Sequence, residues 1–233
     1  MPMSQIVHSP LPYPHGLREA GCWVFDLDNT LYHHSAKLFD QIDVLMKAYI
    51  ARLLDLPEDQ AFKVQKQYFR DYGTTLRGLM NRHHIDPHDF LDFVHDIDLS
   101  VIDRDTRLEK ALAALPGRKI IFTNADEPHA DRVMARLGIR DQFEAVFDIF
   151  AADFVPKPAP EVYDALIRRH GIAPTDTVMV EDMARNLIPA HALGMTTLWI
   201  DTGSDFGRDG HHEDHIHHAT DDLSAWLAGV AVV

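Results

Sequence analysis

Two aspartates separated by a single residue follow a short apolar run near the start of the chain. The run extends from Cys22 to Phe25, and Asp26 and Asp28 come directly after it. If the run is a strand that continues regularly, the two carboxylates point to the same side of it. Because like charges at close range repel each other, such a pair needs a cation or a shared proton. The spacing therefore indicates metal or acid–base chemistry, although a solvated turn explains the pair more simply when it is considered alone.

Polar side chains also follow two later apolar runs, and they are Thr123, Asn124, Glu181 and Asp182. Lys157 differs from them because it lies between Pro156 and Pro158, which restrict the backbone around it. Each residue has an ordinary explanation by itself, as a helix cap, a first-turn acid or a surface lysine. As a set, they supply acids, a hydroxyl, an amide and one cation that is held in place.

The acids of this set are suited to a divalent cation. Asp26, Glu181 and Asp182 offer hard oxygen ligands, and Mg²⁺ prefers one or two carboxylates together with water and a substrate phosphate. A cation there would also relieve the repulsion between Asp26 and its neighbours. We therefore predict a magnesium site formed by these carboxylates.

The remaining members of the set are suited to a phosphoryl group. Its anionic oxygens need donors, which the chain provides at Thr123, Asn124 and Lys157. Asp26 is then the candidate nucleophile, because a carboxylate that attacks phosphorus gives an aspartyl phosphate. Asp28 is the candidate general acid and base, a role worth roughly 100-fold to 10,000-fold in rate.

A parallel sheet would bring these residues together. Apolar runs predict strands over 119–122, 145–149, 177–180 and 196–200, and helical stretches lie between them at 128–137, 160–170 and 184–193. Each helical stretch is followed by a glycine, as is typical where a helix ends before the chain returns to a sheet. The alternation predicts an α/β fold with a doubly wound parallel sheet of the Rossmann type, whose carboxyl edge collects the polar residues.

The segment between the first two strands has a different, helical pattern. Apolar residues recur at helical spacing over 42–53, and a second helix is predicted from Pro57 to Tyr72. Asp86, Pro87 and Asp89 open a further helix that runs through 94. Such an insertion is longer than a connection requires, and it predicts an all-helical cap domain. The predicted divisions are an N-terminal arm (1–20), a core domain (21–35 and 101–233) and the cap domain (36–100).

Composition narrows the classes of partner. The chain has 233 residues, 46% of them hydrophobic, and a formal net charge of −14, which disfavours nucleic acid or an anionic membrane as a partner. The single cysteine, Cys22, excludes an intramolecular disulfide and is expected to act as a small apolar residue. The chain has no long apolar run, and prolines interrupt its first residues where a signal peptide would be apolar. We therefore expect a soluble, cytoplasmic protein.

Four short motifs resemble those of the haloacid dehalogenase-like superfamily. They occur in the superfamily's order between Val24 and Ile200, as DLDNT at 26–30, TN at 123–124, KP at 157–158 and ED at 181–182. The resemblance implies a core and cap of that superfamily, a small phosphorylated metabolite as substrate and Mg²⁺ as cofactor. It implies that Asp28 also binds the metal through its main-chain carbonyl. Dehalogenases of the superfamily lack the second aspartate of DLDNT, so Asp28 favours phosphoryl transfer.

Longer matches resemble the pyrimidine 5'-nucleotidase branch of the superfamily. They are DNTLY at 28–32, GTTLRGL at 73–79, FTNA at 122–125 and EDMARNL at 181–187. The resemblance implies hydrolysis of nucleoside monophosphates such as UMP and CMP. It also implies that Thr74, Thr75 and Arg77 reach from the cap toward the substrate, although the threonines have an equally good explanation as helix-start residues.

Other interpretations remain open at this point. A phosphatase or phosphomutase for sugar phosphates would use the same motifs, and a noncatalytic binding module would retain the fold. Histidines at 211, 212, 215, 217 and 218 suggest a metal site, but their spacing favours a solvated loop. His33 and His34 are expected in a surface turn near the site.

Overall fold

The computed structural model describes residues 17–211 and 214–232, so most of the predicted N-terminal arm lies outside the described residues. Within that part of the chain, a six-stranded sheet has the order β3-β2-β1-β4-β5-β6, and every pairing in it is parallel. Its strands are β1 (Cys22–Phe25), β2 (Arg118–Phe122), β3 (Ala145–Phe147), β4 (Thr177–Glu181), β5 (Thr196–Ile200) and β6 (His218–Thr220).

Helices cover both faces of this sheet. In chain order, the α-helices of the described residues are α1 (Leu38–Leu54), α2 (Glu58–Tyr72), α3 (Thr75–His83), α4 (Pro87–Val94), α5 (Thr106–Ala114), α6 (Glu127–Leu137), α7 (Pro160–His170), α8 (Leu187–Ala192) and α9 (Leu223–Val232). Helices α5, α6 and α9 share one apolar cluster with Trp23 and Phe25, whereas α7 and α8 share another with Val24. Because successive residues of β1 point to opposite faces, the prediction of a doubly wound sheet is confirmed.

β1 is the central strand at which the site is organised. It pairs with β2 on one side and β4 on the other, so that Phe25 lies opposite both Ile121 and Val180. All four residues of β1 are buried. Cys22 packs within an apolar cluster, as the sequence analysis predicted for a small apolar residue. Because these strands are parallel, the carboxyl ends of β1, β2 and β4 lie at the same edge of the sheet.

The predicted elements of the core need two corrections. The third strand ends at Phe147 instead of 149, because the Ile149 N–H leaves the ladder and donates to the Ala125 carbonyl. The helix predicted over 184–193 is divided into a 3-10 turn at Ala184–Asn186 and the short helix α8. Pro189 accounts for the division, because it lacks the N–H that a continuous α-helix would bond to the carbonyl four residues earlier.

The insertion between β1 and β2 forms helices α1 to α4, which share an apolar cluster that includes Ile42, Ile50, Leu79 and Phe90. Helix α4 begins as predicted, with the Asp86 side chain accepting from the His88 N–H. Helix α3 begins at the threonines for which the sequence offered a helix-start explanation, but its extent was not predicted, because it is short and follows α2 after two residues. The boundaries of a separate cap domain stay a prediction.

The histidine-rich segment is not the solvated loop that its composition favoured. His215 is buried, and its Nε2 lies 2.9 Å from the Ala184 carbonyl oxygen. His218 begins β6 opposite Leu198 of β5, so this segment belongs to the edge of the sheet. Residues 212 and 213 lie outside the described residues. Strand β6 and helix α9 were not predicted from the sequence. The strand has only three residues and no apolar alternation.

None of the helices in the described ranges combines the length and the apolar composition that crossing a lipid bilayer requires.

Candidate active site

Three buried carboxylates meet where β1 and β4 end. Asp26 follows β1, Glu181 ends β4, and Asp182 comes next in the chain. Each offers an oxygen within 4.8 Å of the others'. Hard oxygen donors at this spacing are suited to Mg²⁺, and magnesium binding by these residues stays a prediction. We call Asp26, Glu181 and Asp182 the carboxylate cluster.

Lys157 is the counterion of the carboxylate cluster. Its Nζ donates over 2.7 Å to Asp26 Oδ1, Glu181 Oε2 and the Phe122 carbonyl, and the side chain is 1% exposed. An ammonium group has three donors, so each of them already has a partner. Lys157 therefore orients the candidate nucleophile in this structure, and a bond from it to a phosphoryl group would replace one of these three. Its phosphoryl-binding role stays a prediction.

The charges of the carboxylate cluster do not balance. Burial, followed by the charge of Glu181, raises the pKa of Asp26 to about 7, although Lys157 opposes the shift. Burial, followed by the charges of Glu181 and Asp26, holds the pKa of Asp182 well above its usual range. Burial alone would lower the pKa of Lys157, but Asp26 and Glu181 raise it above its usual value. A divalent cation would supply the positive charge that one lysine cannot.

Asp28 lies in a different environment, although it is only two residues from Asp26. Its Oδ1 accepts from the Tyr32 hydroxyl at 2.8 Å and lies 3.0 Å from His129 Nε2. Burial would raise the pKa of Asp28, but His129 and Tyr32 together lower it below the usual value. The two aspartates therefore have pKa values shifted in opposite directions by their different surroundings. Metal binding by the Asp28 carbonyl stays a prediction.

Thr123 and Asn124 follow β2, and Asn124 lies beside Lys157. The Thr123 hydroxyl accepts from the Ala125 N–H at 3.0 Å, which leaves its own proton available for another acceptor. Asn124 Oδ1 accepts from the Lys157 N–H at 2.9 Å, and its Nδ2 donates to the Lys157 carbonyl at 3.5 Å. Asn124 thus holds the backbone that presents Lys157. Phosphoryl binding by Thr123 and Asn124 stays a prediction.

Several functional contacts were missed by sequence reasoning. The Thr30 hydroxyl donates to Asp26 Oδ2 at 2.8 Å, and a hydroxyl four residues after Asp26 was the available signal. The backbone N–H groups of Leu27 and Asp28 make no hydrogen bond within residues 17–211 and 214–232, whereas the Asn29 N–H interacts with the Tyr32 hydroxyl oxygen. Asn29 has a positive φ of 61°. Free N–H groups beside a left-handed residue form a concavity suited to an anion.

The three predicted cap residues, Thr74, Thr75 and Arg77, have different surroundings. Thr74 caps α3 by accepting from the Arg77 N–H at 3.1 Å, and Thr75 is buried with its hydroxyl 3.4 Å from the Gln65 carbonyl. Both threonines therefore have structural roles at the start of this helix. The half-buried Arg77 side chain makes no hydrogen bond or ion pair with the described residues, and its role toward a substrate stays a prediction. Gly73 packs against Pro156, which places this turn next to Lys157.

His33 and His34 lie in an exposed turn, as predicted. His33 Nδ1 accepts from the Ser35 N–H at 3.2 Å, and the two imidazole rings lie 4.3 Å apart. Neither side chain contacts the carboxylate cluster.

A parallel sheet that collects carboxylates at the carboxyl ends of its central strands defines an α/β protein with an acidic active-site edge. The chain belongs to the haloacid dehalogenase-like hydrolase family, which matches residues 22–194. This membership agrees with the resemblance carried by the four short motifs.

Two curated relatives are phosphate-related proteins. Phosphate metabolism protein 8 of Saccharomyces cerevisiae is 27% identical over 203 residues, which are 79% of this chain and 62% of that protein. Fructose-1-phosphate phosphatase YqaB of Escherichia coli is 36% identical over 77 residues, which are 32% of this chain and 39% of that protein. The chain therefore spans less than two thirds of the length of these relatives.

Solved structures share the fold. CbbY from Rhodobacter sphaeroides, in complex with phosphate, has a TM-score of 0.62 and 16% identity, covering 91% of this chain and 100% of its own. L-2-haloacid dehalogenase from Xanthobacter autotrophicus has a TM-score of 0.58 and 16% identity, covering 91% of this chain and 99% of its own. Identities this low show the architecture alone.

Proposed function

We propose that this protein is a magnesium-dependent phosphomonoesterase that works through an aspartyl-phosphate intermediate. The observation that carries the proposal is the buried carboxylate cluster with Lys157 bonded to Asp26 at 2.7 Å. A carboxylate held this firmly and a second aspartate two residues away provide a nucleophile and an acid–base group in one loop. Bound Mg²⁺ would neutralise the charge of the cluster and of the phosphoryl group.

The proposed reaction has two steps that use the same two aspartates. In the first, a carboxylate oxygen of Asp26 bonds to phosphorus, the bond from phosphorus to the ester oxygen breaks, and Asp28 protonates that leaving oxygen. In the second, water attacks phosphorus while Asp28 takes its proton, and the bond to Asp26 breaks to release inorganic phosphate. The N–H groups of Leu27 and Asp28, which have no acceptor among the described residues, are donors suited to the phosphoryl oxygens.

The presence of Asp28 supports phosphoryl transfer over dehalogenation. An alcohol leaving group needs a proton, whereas a halide leaves without one, so an acid beside the nucleophile serves the ester substrate. The dehalogenase that shares the fold is only 16% identical, so its substrate does not indicate the substrate of this chain.

We propose pyrimidine nucleoside monophosphates as the substrates, on the strength of the longer motifs that resemble that branch. The Arg77 side chain, near the start of α3, has no hydrogen-bond or ion-pair partner among the described residues and is a suitable donor to a base or sugar. Sugar phosphates are the second candidate, because 77 residues are 36% identical to a fructose-1-phosphate phosphatase. A reducing, cytoplasmic location is part of the proposal, since Cys22 is the single cysteine and is buried.

The decisive experiment measures phosphate release from UMP, CMP, purine nucleotides and sugar phosphates, with Mg²⁺ and with a chelator. Asp26→Asn should abolish turnover while leaving the fold intact, because it removes the nucleophile's charge with little change in volume. Asp103→Asn is the matched control, since that side chain is 95% exposed. Chelator-sensitive release that favours UMP and CMP would support the whole proposal. Release confined to sugar phosphates would overturn the substrate assignment, and full activity of Asp26→Asn would overturn the mechanism.

A further inference from the structure

A pair of buried histidines connects the helical insertion to Asp28. His129 belongs to α6, and His95 follows the last residue of α4, where the chain leaves the insertion. The two imidazole rings stack with their centroids 4.2 Å apart and an angle of 17° between their planes. Both side chains are buried, His129 completely. The reaction steps described above assign no part to either residue.

The contact with Asp28 is made at one oxygen only. Tyr32 and His129 both approach Oδ1, and Oδ2 receives no hydrogen bond from the part of the chain that the structure describes. Two donors on one oxygen fix the rotation of the carboxyl group. They also leave Oδ2 as the oxygen that can exchange a proton with a substrate or water.

The proton of His129 can be assigned from the same contacts. Its Nδ1 is buried with no hydrogen-bond partner among the described residues. A buried N–H without an acceptor costs more than a buried lone pair that faces apolar groups, so the proton belongs on Nε2. His129 therefore donates to Asp28.

His95 holds His129 from the opposite side. Its Nδ1 lies 2.8 Å from Asp126 Oδ1, a short electrostatic contact whose alignment is poor for a hydrogen bond. Asp126 also caps α6 by accepting from the His129 N–H at 3.2 Å. The Arg132 side chain donates to the His95 carbonyl at 2.8 Å, which fixes the backbone at this point. Asp126 and Arg132 thus hold His95 in place, and the stacking of His95 on His129 leaves the His129 ring little freedom to rotate.

We propose that His129 is a positioning residue, which holds Asp28 with Oδ2 directed at the leaving oxygen, and that His95 supports His129 from the insertion. The inference rests on the proposed phosphomonoesterase function. Its consequence is that the orientation of the Asp28 carboxyl group depends on the position of His95, where the chain leaves the insertion.

The test compares His129→Leu with His129→Gln in Mg²⁺, with p-nitrophenyl phosphate and the best natural substrate as probes. Leucine fills the space and removes the donor, whereas the glutamine amide can place an N–H close to the position of Nε2. We expect His129→Leu to lower kcat about 10-fold to 100-fold, a part of the general acid–base contribution, with KM changed less than about threefold. His129→Gln should recover most of kcat. Equal losses in both variants, or a change in KM alone, would overturn the proposal.

A second comparison asks whether His129 acts through Asp28. In the background of Asp28→Asn, which we expect to retain a low residual rate, His129→Leu should cause no further loss of kcat, because the group it positions is already absent. Losses that multiply in the double variant would overturn the proposal even if the single variants behave as expected. This result does not depend on a small change in stability.

The matched control is His170→Leu. His170 also has a buried imidazole nitrogen without a hydrogen-bond partner among the described residues, but it ends α7. Its carbonyl accepts from Arg118 at the start of β2, so it lies at the opposite edge of the sheet. We expect unchanged kcat in this variant. Absence of phosphatase activity in the wild-type protein would contradict the proposed function, whereas an active wild type with unaffected His129→Leu would contradict this inference alone.

Discussion

At the scale of single residues, Lys157 is the cation that pairs with the buried acids of the site. It is fully buried, it is bonded to two carboxylates, and its third donor is used by the Phe122 carbonyl. A surface lysine would contribute little, but a buried ion whose partner is removed is strongly destabilising. The sequence indicated that Lys157 is held by flanking prolines, yet it could not show which acids Lys157 contacts.

Lys157→Met should destabilise the protein strongly when no divalent cation is present. The substitution leaves Asp26, Glu181 and Asp182 buried without their counterion, and breaking such a buried pair costs about 3–5 kcal/mol. The measurement is the free energy of unfolding by urea in a chelator. The loss should become smaller in Mg²⁺, because the cation replaces part of the missing charge.

Lys119→Met is the control for that variant. Lys119 is also buried, but its Nζ donates to the Leu115 and Gly117 carbonyls and to no acid. Burial lowers its pKa, so the charged form is already disfavoured there. We expect a loss below roughly 2 kcal/mol. Equal losses for the two lysines would contradict the counterion role of Lys157.

Cys22 gives a pH-dependent contribution to stability whose sign can be worked out. Burial raises the pKa of its thiol from the usual 9.0 to about 11. The folded protein therefore holds the proton more tightly than the unfolded chain, and this contribution is complete below pH 9 and lost as the pH rises toward 11. The free energy of unfolding of the wild type should thus fall toward that of Cys22→Ala between pH 8 and 10.5. A difference that stays constant across this range would contradict the assigned shift.

At the scale of the elements, local signals predicted helix ends well where one residue determines the backbone. Gly138 and Gly171 end α6 and α7 in the left-handed conformation, and Asp86 with Pro87 opens α4. The local pattern failed where tertiary contacts decide. Strand β6 exists because β5 offers an edge for pairing, and α3 is stabilised by packing against α2.

The same substitution should have opposite effects in two helices. Gly78 lies in α3 where a Cβ would overlap the Cβ of Tyr68 in α2, so Gly78→Ala should destabilise despite alanine's better helix propensity. Gly229 lies in α9 with open space around it, so Gly229→Ala should stabilise by up to about 1 kcal/mol. Thermal unfolding of both variants provides the measurement. Stabilisation by Gly78→Ala would show that α2 and α3 do not approach this closely.

At the scale of the whole molecule, the site is made from residues that are far apart in the chain. Lys157 contacts Asp26 across 131 positions, and His129 contacts Asp28 across 101. The ordered motifs and the predicted parallel sheet were sufficient to place these strand ends at one edge. The His95–His129 pair was not predictable, because neither residue has a sequence pattern that distinguishes it from other histidines.

The carboxylate cluster should also make the stability of the whole protein depend on Mg²⁺. A cation that binds only the folded state stabilises it by about 2.7 kcal/mol when its free concentration is 100 times Kd, so Tm should rise with Mg²⁺. Asp182→Asn should lose this response because it removes one ligand. In a chelator, the same variant should be at least as stable as the wild type, since it removes one of the three crowded carboxylates. Sodium chloride at equal ionic strength and Asp103→Asn are the controls for nonspecific charge effects. A Tm that rises equally in Asp182→Asn and the wild type would place the cation elsewhere on the molecule.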